Sequence, residues 1–223
     1  MDLNSHLHEF RSALDAHAPT YGISFTAEAL AGLSKYYELL SSWNTRLHLV
    51  APTSPAEFAT RHILESLMLL EQLPGGARIA DIGSGAGLPI IPCLIVRPDL
   101  RAMLIEASPK KAVFLKEALR DVLVSKDELS ESEGSNVIAA RFESIPAPEV
   151  DFITCRALER FEEMLPQLLG WAPSNSTLLL FGGEGLRKKI EASGFASSEV
   201  LIPKSQQRFL FIINKTRQAG TRA

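Results

Sequence analysis

Residues 80–92 read ADIGSGAGLPIIP, and no other stretch limits the fold of this chain as tightly. Asp81, Gly83, Gly85 and Gly87 occupy alternate positions between the apolar lead-in Arg78-Ile79-Ala80 and an apolar run that can open a helix. The implied local order is strand, tight glycine turn, helix. Glycine lacks the Cβ that keeps a ligand off the main chain and tolerates positive φ, so such a turn exposes N–H groups at a helix start. A nucleotide-like ligand is the first candidate for it.

The rest of the domain supports that order. Residues 78–82, 102–106, 136–140, 150–155, 177–181, 199–202 and 208–213 read as strands, and 88–96, 109–123, 161–171 and 186–192 as helices. This alternation predicts a doubly wound, Rossmann-like α/β domain whose mostly parallel sheet binds ligand at the carboxyl ends of its strands. The last two strands have no long helix between them, which predicts one antiparallel strand. Before residue 74 the pattern is helical only. Leu30, Leu33, Tyr37, Leu40 and Trp43 recur at helical spacing, Thr26 can cap their helix, and a second helix spans 55–73. Pro74-Gly75-Gly76 breaks the pattern, so residues 1–74 are expected to form a helical extension packed on a main domain of residues 75–223. Residues 125–135, SKDELSESEGS, read as a surface loop.

A chain of 223 residues, 46% hydrophobic, suffices for one sizeable α/β domain and a small appendage. A net charge of −3 carries no overall basic signature, so a polyanion must be met by a local patch. Residues 201–223 contain Lys204, Arg208, Lys215, Arg217 and Arg222 with no Asp or Glu, and Arg187-Lys188-Lys189 and Lys110-Lys111 add further clusters. Cys93 and Cys155 fit neither a disulfide framework nor a zinc spacing, and the polar first residues leave no apolar core for a signal peptide. Nothing approaches the run of about 20 apolar residues that a membrane span requires. A cytoplasmic protein without metal or membrane partner is expected.

Glu106 stands at the predicted end of the second strand, about 20 residues past the turn, where an acid accepts hydrogen bonds from ribose hydroxyls. The spacing of the third glycine then separates the candidate ligands. A dinucleotide fingerprint places that glycine three residues after the second, leaving room for pyrophosphate. Here the interval is two, and Leu88 follows. Asp-x-Gly-x-Gly-x-Gly is the arrangement of S-adenosylmethionine-dependent methyltransferases, with NAD as the alternative. After the third strand, ARFES at 140–144 offers Phe142 to pack on an adenine and Glu143 to bond its edge; plain core packing is the alternative for Phe142. The fourth strand ends DFITCRAL, which brings Cys155 and Arg156 toward the methyl donor. Arg156 suits a cofactor carboxylate or a substrate phosphate. Cys155 lacks the preceding proline of a pyrimidine carbon methylase and reads as structural. The Asn/Asp-Pro-Pro-aromatic motif of amino-group methylation is missing too. An acceptor with a free lone pair, such as guanine N7, needs no general base and no triad.

With these residues in place, the chain resembles the ribosomal RNA small subunit methyltransferase G family, also called glucose-inhibited division protein B. The resemblance runs from about Tyr36 to Lys215 through Trp43-Asn44, RHILESL at 61–67, DIGSGAGLP at 81–89, Ile91-Pro92, Arg97-Pro98, EASPKKAVFL at 106–115, Arg141, ITCRAL at 153–158 and Arg208. It implies a Rossmann-like S-adenosylmethionine-dependent methyltransferase fold with a mostly parallel seven-stranded sheet and an N-terminal helical extension. It also implies S-adenosyl-L-methionine as cofactor, guanine N7 of small-subunit (16S) ribosomal RNA or the 30S particle as substrate, and a monomer. Asp81, Gly83, Ser84, Gly85, Gly87, Leu88, Glu106, Phe142, Glu143 and Arg156 fall at the implied cofactor site. Asn44, Arg61, His62 and Arg208 fall at the implied catalytic cleft, with a histidine packed between helices as the alternative for His62. Three departures stand out: Ile90 replaces the second glycine of Gly-Leu-Pro-Gly-Ile-Pro, His48-Leu49-Val50 replaces Asn-Leu-Thr, and Gly182 replaces a lysine after the fifth strand. The alternative functions are a noncatalytic S-adenosylmethionine- or RNA-binding module and a methyltransferase acting on a different RNA.

Overall fold

The computed structural model describes residues 3–123, 134–156 and 160–218. Its seven strands are β1 (Arg78–Ile82), β2 (Arg101–Ile105), β3 (Asn136–Ile138), β4 (Phe152–Arg156), β5 (Thr177–Gly182), β6 (Phe195–Leu201) and β7 (Phe209–Gln218). They form one sheet in the order β3-β2-β1-β4-β5-β7-β6. Neighbours from β3 to β5 are parallel, and β7 runs against both β5 and β6. The single antiparallel strand expected from the sequence is therefore present, inserted one place in from the edge. β6 is the edge, and exposed Ser197, Ser198 and Glu199 interrupt its apolar run. That polarity, usual for an edge strand, hides the first half of β6 from a search for apolar stretches.

β1 is buried on both faces, as a central parallel strand must be. Ala80 and Ile82 join a cluster with Ile153, Leu165 and Leu180, whereas Ile79 faces the larger cluster on the other side. The sheet is wrapped by α5 (Ile90–Val96), α6 (Pro109–Leu123), α7 (Phe161–Trp171) and α8 (Glu184–Ala192). α5 opens at Ile90 rather than at 88 because the turn consumes the preceding residues.

The N-terminal segment begins with α1 (Leu3–His17), followed by α2 (Ala27–Leu47). Thr26 caps α2 by accepting from the Ala29 N–H at 3.2 Å, and His48 ends it in the left-handed region at φ 47°. The helix expected over 55–73 covers residues 55–71 and changes pitch three times: α3 (Pro55–Glu57), a π-helical run Phe58–Leu64, α4 (Glu65–Leu67) and a 3₁₀ turn Met68–Glu71. No sequence signal marks those changes. Phe10, Tyr37 and Phe58 pack their rings at centroid distances of 4.6 and 5.2 Å, within the same buried cluster that holds Ile79, Ile91 and Phe114. Each such ring contributes roughly 2–3 kcal/mol by leaving water, so this cluster ties the N-terminal helices to the sheet.

Two of the basic groups named above serve the fold. Lys215 donates its ammonium to the carbonyls of Leu169 and Ala172 at the end of α7, where cation and helix dipole agree. Arg187 pairs with Glu184 and Glu199 and lies 4.0 Å above the Phe209 ring. Most of the loop expected at 125–135, together with Ala157, Leu158 and Arg222, lies outside the described residues. Among the described residues, no helix is long and apolar enough to cross a membrane, and no group of three or more His, Cys, Asp or Glu could hold a metal ion.

Candidate functional site

The glycine turn leaves the end of β1 with φ of 67° at Gly83, 51° at Gly85 and 83° at Gly87, all in the left-handed region. Four of its N–H groups have partners within the protein. Those of Gly83 and Ser84 donate to the Ile105 carbonyl at 2.9 and 3.3 Å, and that of Gly87 donates to the Ser84 carbonyl at 2.6 Å. Gly85 donates to Oε2 of Glu106 at 2.8 Å. The expected row of exposed donors is thus corrected: what the turn offers a ligand is a surface without side chains. At Gly87 a Cβ would lie 2.3 Å from Cδ1 of Ile91, so this glycine lets α5 pack on the turn. At Gly85 a Cβ would meet nothing nearer than the Gly83 carbonyl at 3.6 Å, which marks the open side. Ser84 and Leu88 are buried beneath the turn, and the Ser84 hydroxyl donates to the Asp81 carbonyl at 3.0 Å.

Two carboxylates stand below it. Glu106 is buried, with Oε1 accepting from the Ser108 N–H at 2.7 Å while Oε2 holds Gly85, so the strand-end acid organises the turn. Asp81 is fully buried; Oδ1 accepts from the Thr154 hydroxyl at 2.6 Å, and Oδ2 has no hydrogen-bond partner among the described residues. Burial pushes its carboxyl up to about 7, against the opposing pull of the Thr154 bond.

A crevice of about 280 Å³ opens at the carboxyl ends of β1 and β2 and beside the segment after β3, lined by Ile82, Gly83, Ile105, Phe142, Glu143 and Met164 among others. Phe142 belongs to it and to the core, since its ring meets Trp171 edge-on at 5.4 Å. Glu143 stands 3.6 Å from the Arg141 guanidinium. Gly83, Phe142 and Glu143 are thereby brought together around one space, with Glu106 adjoining through Ala107.

Arg156 is engaged elsewhere. Its Nη2 donates to the Arg61 carbonyl at 2.6 Å and to Oε2 of Glu65 at 3.1 Å, its Nη1 to the Ser66 hydroxyl at 3.2 Å, and its guanidinium lies 5.4 Å from the Phe181 ring centroid. Arg208 reaches the same carboxylate, with Nη1 2.7 Å from Oε1, while its Nε donates to Ser205 at 3.3 Å. The structure therefore groups Arg156 with Arg61, His62 and Arg208 rather than with the crevice. The hub is Glu65, whose side chain is 2% exposed. Burial raises its pKa while both guanidiniums pull it down, with burial the larger. Sequence reasoning missed Glu65 as a site residue. The available signal was a carboxylate set among Ile63, Leu64 and Leu67, since a charge in a buried run demands partners.

The π-helical run carries Arg61 and His62 and turns one backbone carbonyl over to Arg156; π turns often mark functional sites. His62 packs 5.0 Å from the Phe58 ring. Burial, then the positive charges of Arg156 and Arg61, hold its pKa down at about 4, so the imidazole is neutral at pH 7. Arg61 is 52% exposed and pairs with Glu57 at 2.7 Å, a contact worth little in water. Asn44 spends its amide on the chain itself: Oδ1 accepts from the Val50 N–H at 2.9 Å and Nδ2 donates to the Val50 carbonyl at 3.1 Å. It closes the loop after α2. Ile90 is buried in α5, and a side chain at Gly182 would meet Cδ2 of Leu186 at 2.4 Å. Cys155 is buried in β4, consistent with a structural role.

The family model described as rRNA small subunit methyltransferase G matches residues 29–217. A protein of that name from Sorangium cellulosum is 36% identical over 181 residues, covering 77% of this chain and 72% of the relative. One from Anaeromyxobacter dehalogenans is 32% identical over 201 residues, covering 86% and 88%. Among solved structures, ribosomal protein L11 methylase from Lactobacillus delbrueckii subsp. bulgaricus superposes with a TM-score of 0.53 at 12% identity, covering 69% of this chain and 78% of that one. The M. jannaschii TYW2 structure in complex with AdoMet has a TM-score of 0.51 at 13% identity, covering 68% and 74%. At such identities these two share the fold alone.

Proposed function

The chain belongs to the rRNA small subunit methyltransferase G family, and from that premise we propose that it methylates N7 of a guanine in small-subunit (16S) ribosomal RNA. The match over residues 29–217 carries this function. S-adenosylmethionine, when bound, supplies an electrophilic methyl group: the guanine N7 lone pair forms the new bond, and the broken bond's electrons stay on sulfur. No proton leaves N7, so the protein's task is binding and orientation, without a general base.

The crevice suits an adenosyl compound. Ile105, Phe142 and Met164 offer apolar walls for a purine, and Glu143 offers an acceptor for its amino group. Glu106 keeps a second lone pair on each oxygen for sugar hydroxyls. On the other side, Glu65 holds two guanidiniums with one carboxylate, so the cluster keeps an excess of positive charge. Arg208 remains 35% exposed, which suits a phosphate of RNA. Arg61 would add a second, more exposed contact, Asn44 would shape the loop beside them, and neutral His62 would pack without adding charge. Residues 1–74 act as a helical extension to the cofactor domain of residues 75–223, and the protein works as a cytoplasmic monomer on 16S RNA or the 30S particle.

Transfer of labelled methyl from S-adenosylmethionine to naked 16S RNA and to 30S particles, with mapping of the modified base, tests this. Label at a guanine N7 in one of the two is expected. Tight cofactor binding without transfer to either would instead make the protein a noncatalytic binding module, the outcome that Gly182 and Val50 would then explain.

A further inference from the structure

We infer that Tyr36, a residue of the helical extension, positions the glycine turn through its hydroxyl, so that the extension is part of the cofactor site. Only the identity of the ligand rests on the methyltransferase function proposed above.

Three of the five residues from Gly83 to Gly87 are glycines, so the segment has little conformational preference of its own and must be held from outside. Three acceptors described above hold it, and a fourth contact joins them. The Ile105 carbonyl and the Glu106 carboxylate come from the end of the next strand of the sheet, and the Ser84 carbonyl from the turn itself. The fourth comes from α2, where the Tyr36 hydroxyl donates to the Ala86 carbonyl at 2.5 Å across 50 residues of sequence.

That fourth contact matters because of the peptide it grips. The Ala86 carbonyl and the Gly87 N–H are the two ends of one peptide plane, and the Gly87 N–H donates to Ser84 at 2.6 Å. A plane bonded at both ends cannot flip without breaking two hydrogen bonds. A flip of that plane turns ψ of Ala86 and φ of Gly87, and the glycine, at φ 83°, would otherwise let it happen at little cost. Tyr36 is fully buried, and burial pushes its phenol upward, so the hydroxyl remains a donor at every pH of interest. The ring packs with Leu33, Tyr37 and Leu40 in the common core, a role phenylalanine would fill equally. Only the oxygen reaches the turn. Ring and hydroxyl are therefore separable by one substitution.

The test uses the full chain carrying Tyr36→Phe, with Tyr37→Phe as control. Tyr37 stacks on Phe10 at 4.6 Å. In ligand-free Tyr36→Phe, amide exchange over residues 83–88 should accelerate while exchange in β5 and β7 stays as in the wild type. Calorimetric titration should show S-adenosylhomocysteine binding about tenfold more weakly, the effect of one lost buried hydrogen bond. The KM for S-adenosylmethionine should rise with it, kcat should change by less than about twofold, and Tyr37→Phe should bind as the wild type does. Unchanged turn exchange with unchanged affinity would overturn the inference, even if the melting temperature falls. Failure of the wild type to bind either adenosyl compound would instead defeat the cofactor assignment, with turn exchange still judging Tyr36. Should Tyr36→Phe not fold, saturating the wild type with S-adenosylhomocysteine decides the matter. Protection must then spread from 83–88 to the α2 amides around Tyr36, and protection confined to the turn would overturn the inference.

Discussion

The glycine turn and the arginine cluster meet at the same carboxyl edge of the sheet but are built in opposite ways. The turn draws on Asp81 to Glu106, depends on backbone conformation, and works through missing side chains. The cluster draws Glu65, Arg156 and Arg208 from three distant segments and depends on charges taken out of water. One region should therefore suffer from added atoms and the other from a removed charge.

The largest effect is expected at the hub of the cluster. Glu65→Ala leaves the largely buried guanidinium of Arg156 and the part-exposed one of Arg208 without their anion and should cost about 3–5 kcal/mol of unfolding free energy, measured by urea denaturation. A loss below about 1 kcal/mol would show that solvent already screens the cluster and would erase the contrast.

The two regions should also answer pH with opposite signs. Asp81 is held up at about 7 from an ordinary 3.8, so between those values the folded protein binds more protons than the unfolded chain. Its contribution is complete below pH 3.8 and is lost as pH rises through 7, about 4 kcal/mol in all. His62 is held down at about 4 from 6.5, so its contribution is present above pH 6.5 and is lost as pH falls through 4, about 3 kcal/mol. Relative to the wild type, Asp81→Asn should gain stability from pH 4 to pH 8, and His62→Gln should lose the acid sensitivity between 6.5 and 4. Melting curves across that range check both, and an Asp81→Asn profile parallel to the wild type's would refute the first.

Within the turn, Gly87→Ala drives a methyl into Ile91 at a φ of 83° and should cost about 2–3 kcal/mol of stability. Gly85→Ala has open space and should cost only about 1 kcal/mol, while its methyl projects toward the open side and weakens cofactor binding more than stability. Equal losses of stability at the two positions would blur the division between packing glycine and access glycine. The smallest change is expected from Asn44→Ala. It frees the Val50 backbone to water, should cost about 0.5 kcal/mol, and should lower methyl transfer to RNA with cofactor affinity unaltered.

Much of this architecture was legible in residues close together along the chain. The strand, turn and helix around 80–92, the Thr26 cap and the alternation beyond residue 77 all express preferences that act over a few residues. The helical reading of the segment before residue 74 holds for α1 as well, but its bounds have no clear signal: Leu7, Phe10 and Leu14 carry a helical period while polar residues dominate the rest. The π-helical pitch of Phe58–Leu64 has no local signature, and the polar edge of β6 concealed its start. In the site, Gly83, Phe142 and Glu143 gather at one crevice, while Arg156 lies in a different cluster and Asn44 is spent on its own loop.

By itself the sequence determined where the backbone turns, which strands must be buried, and that the chain carries an Asp-x-Gly-x-Gly-x-Gly turn followed by a strand-end acid. Only the tertiary structure decided which charges face one another. Glu65 meets Arg156 and Arg208 across 91 and 143 residues, and Tyr36 meets Ala86 across 50. Dihedral preference and apolar period act between chain neighbours, whereas desolvation and Coulomb attraction depend on distances through space, which exist only once distant segments have packed.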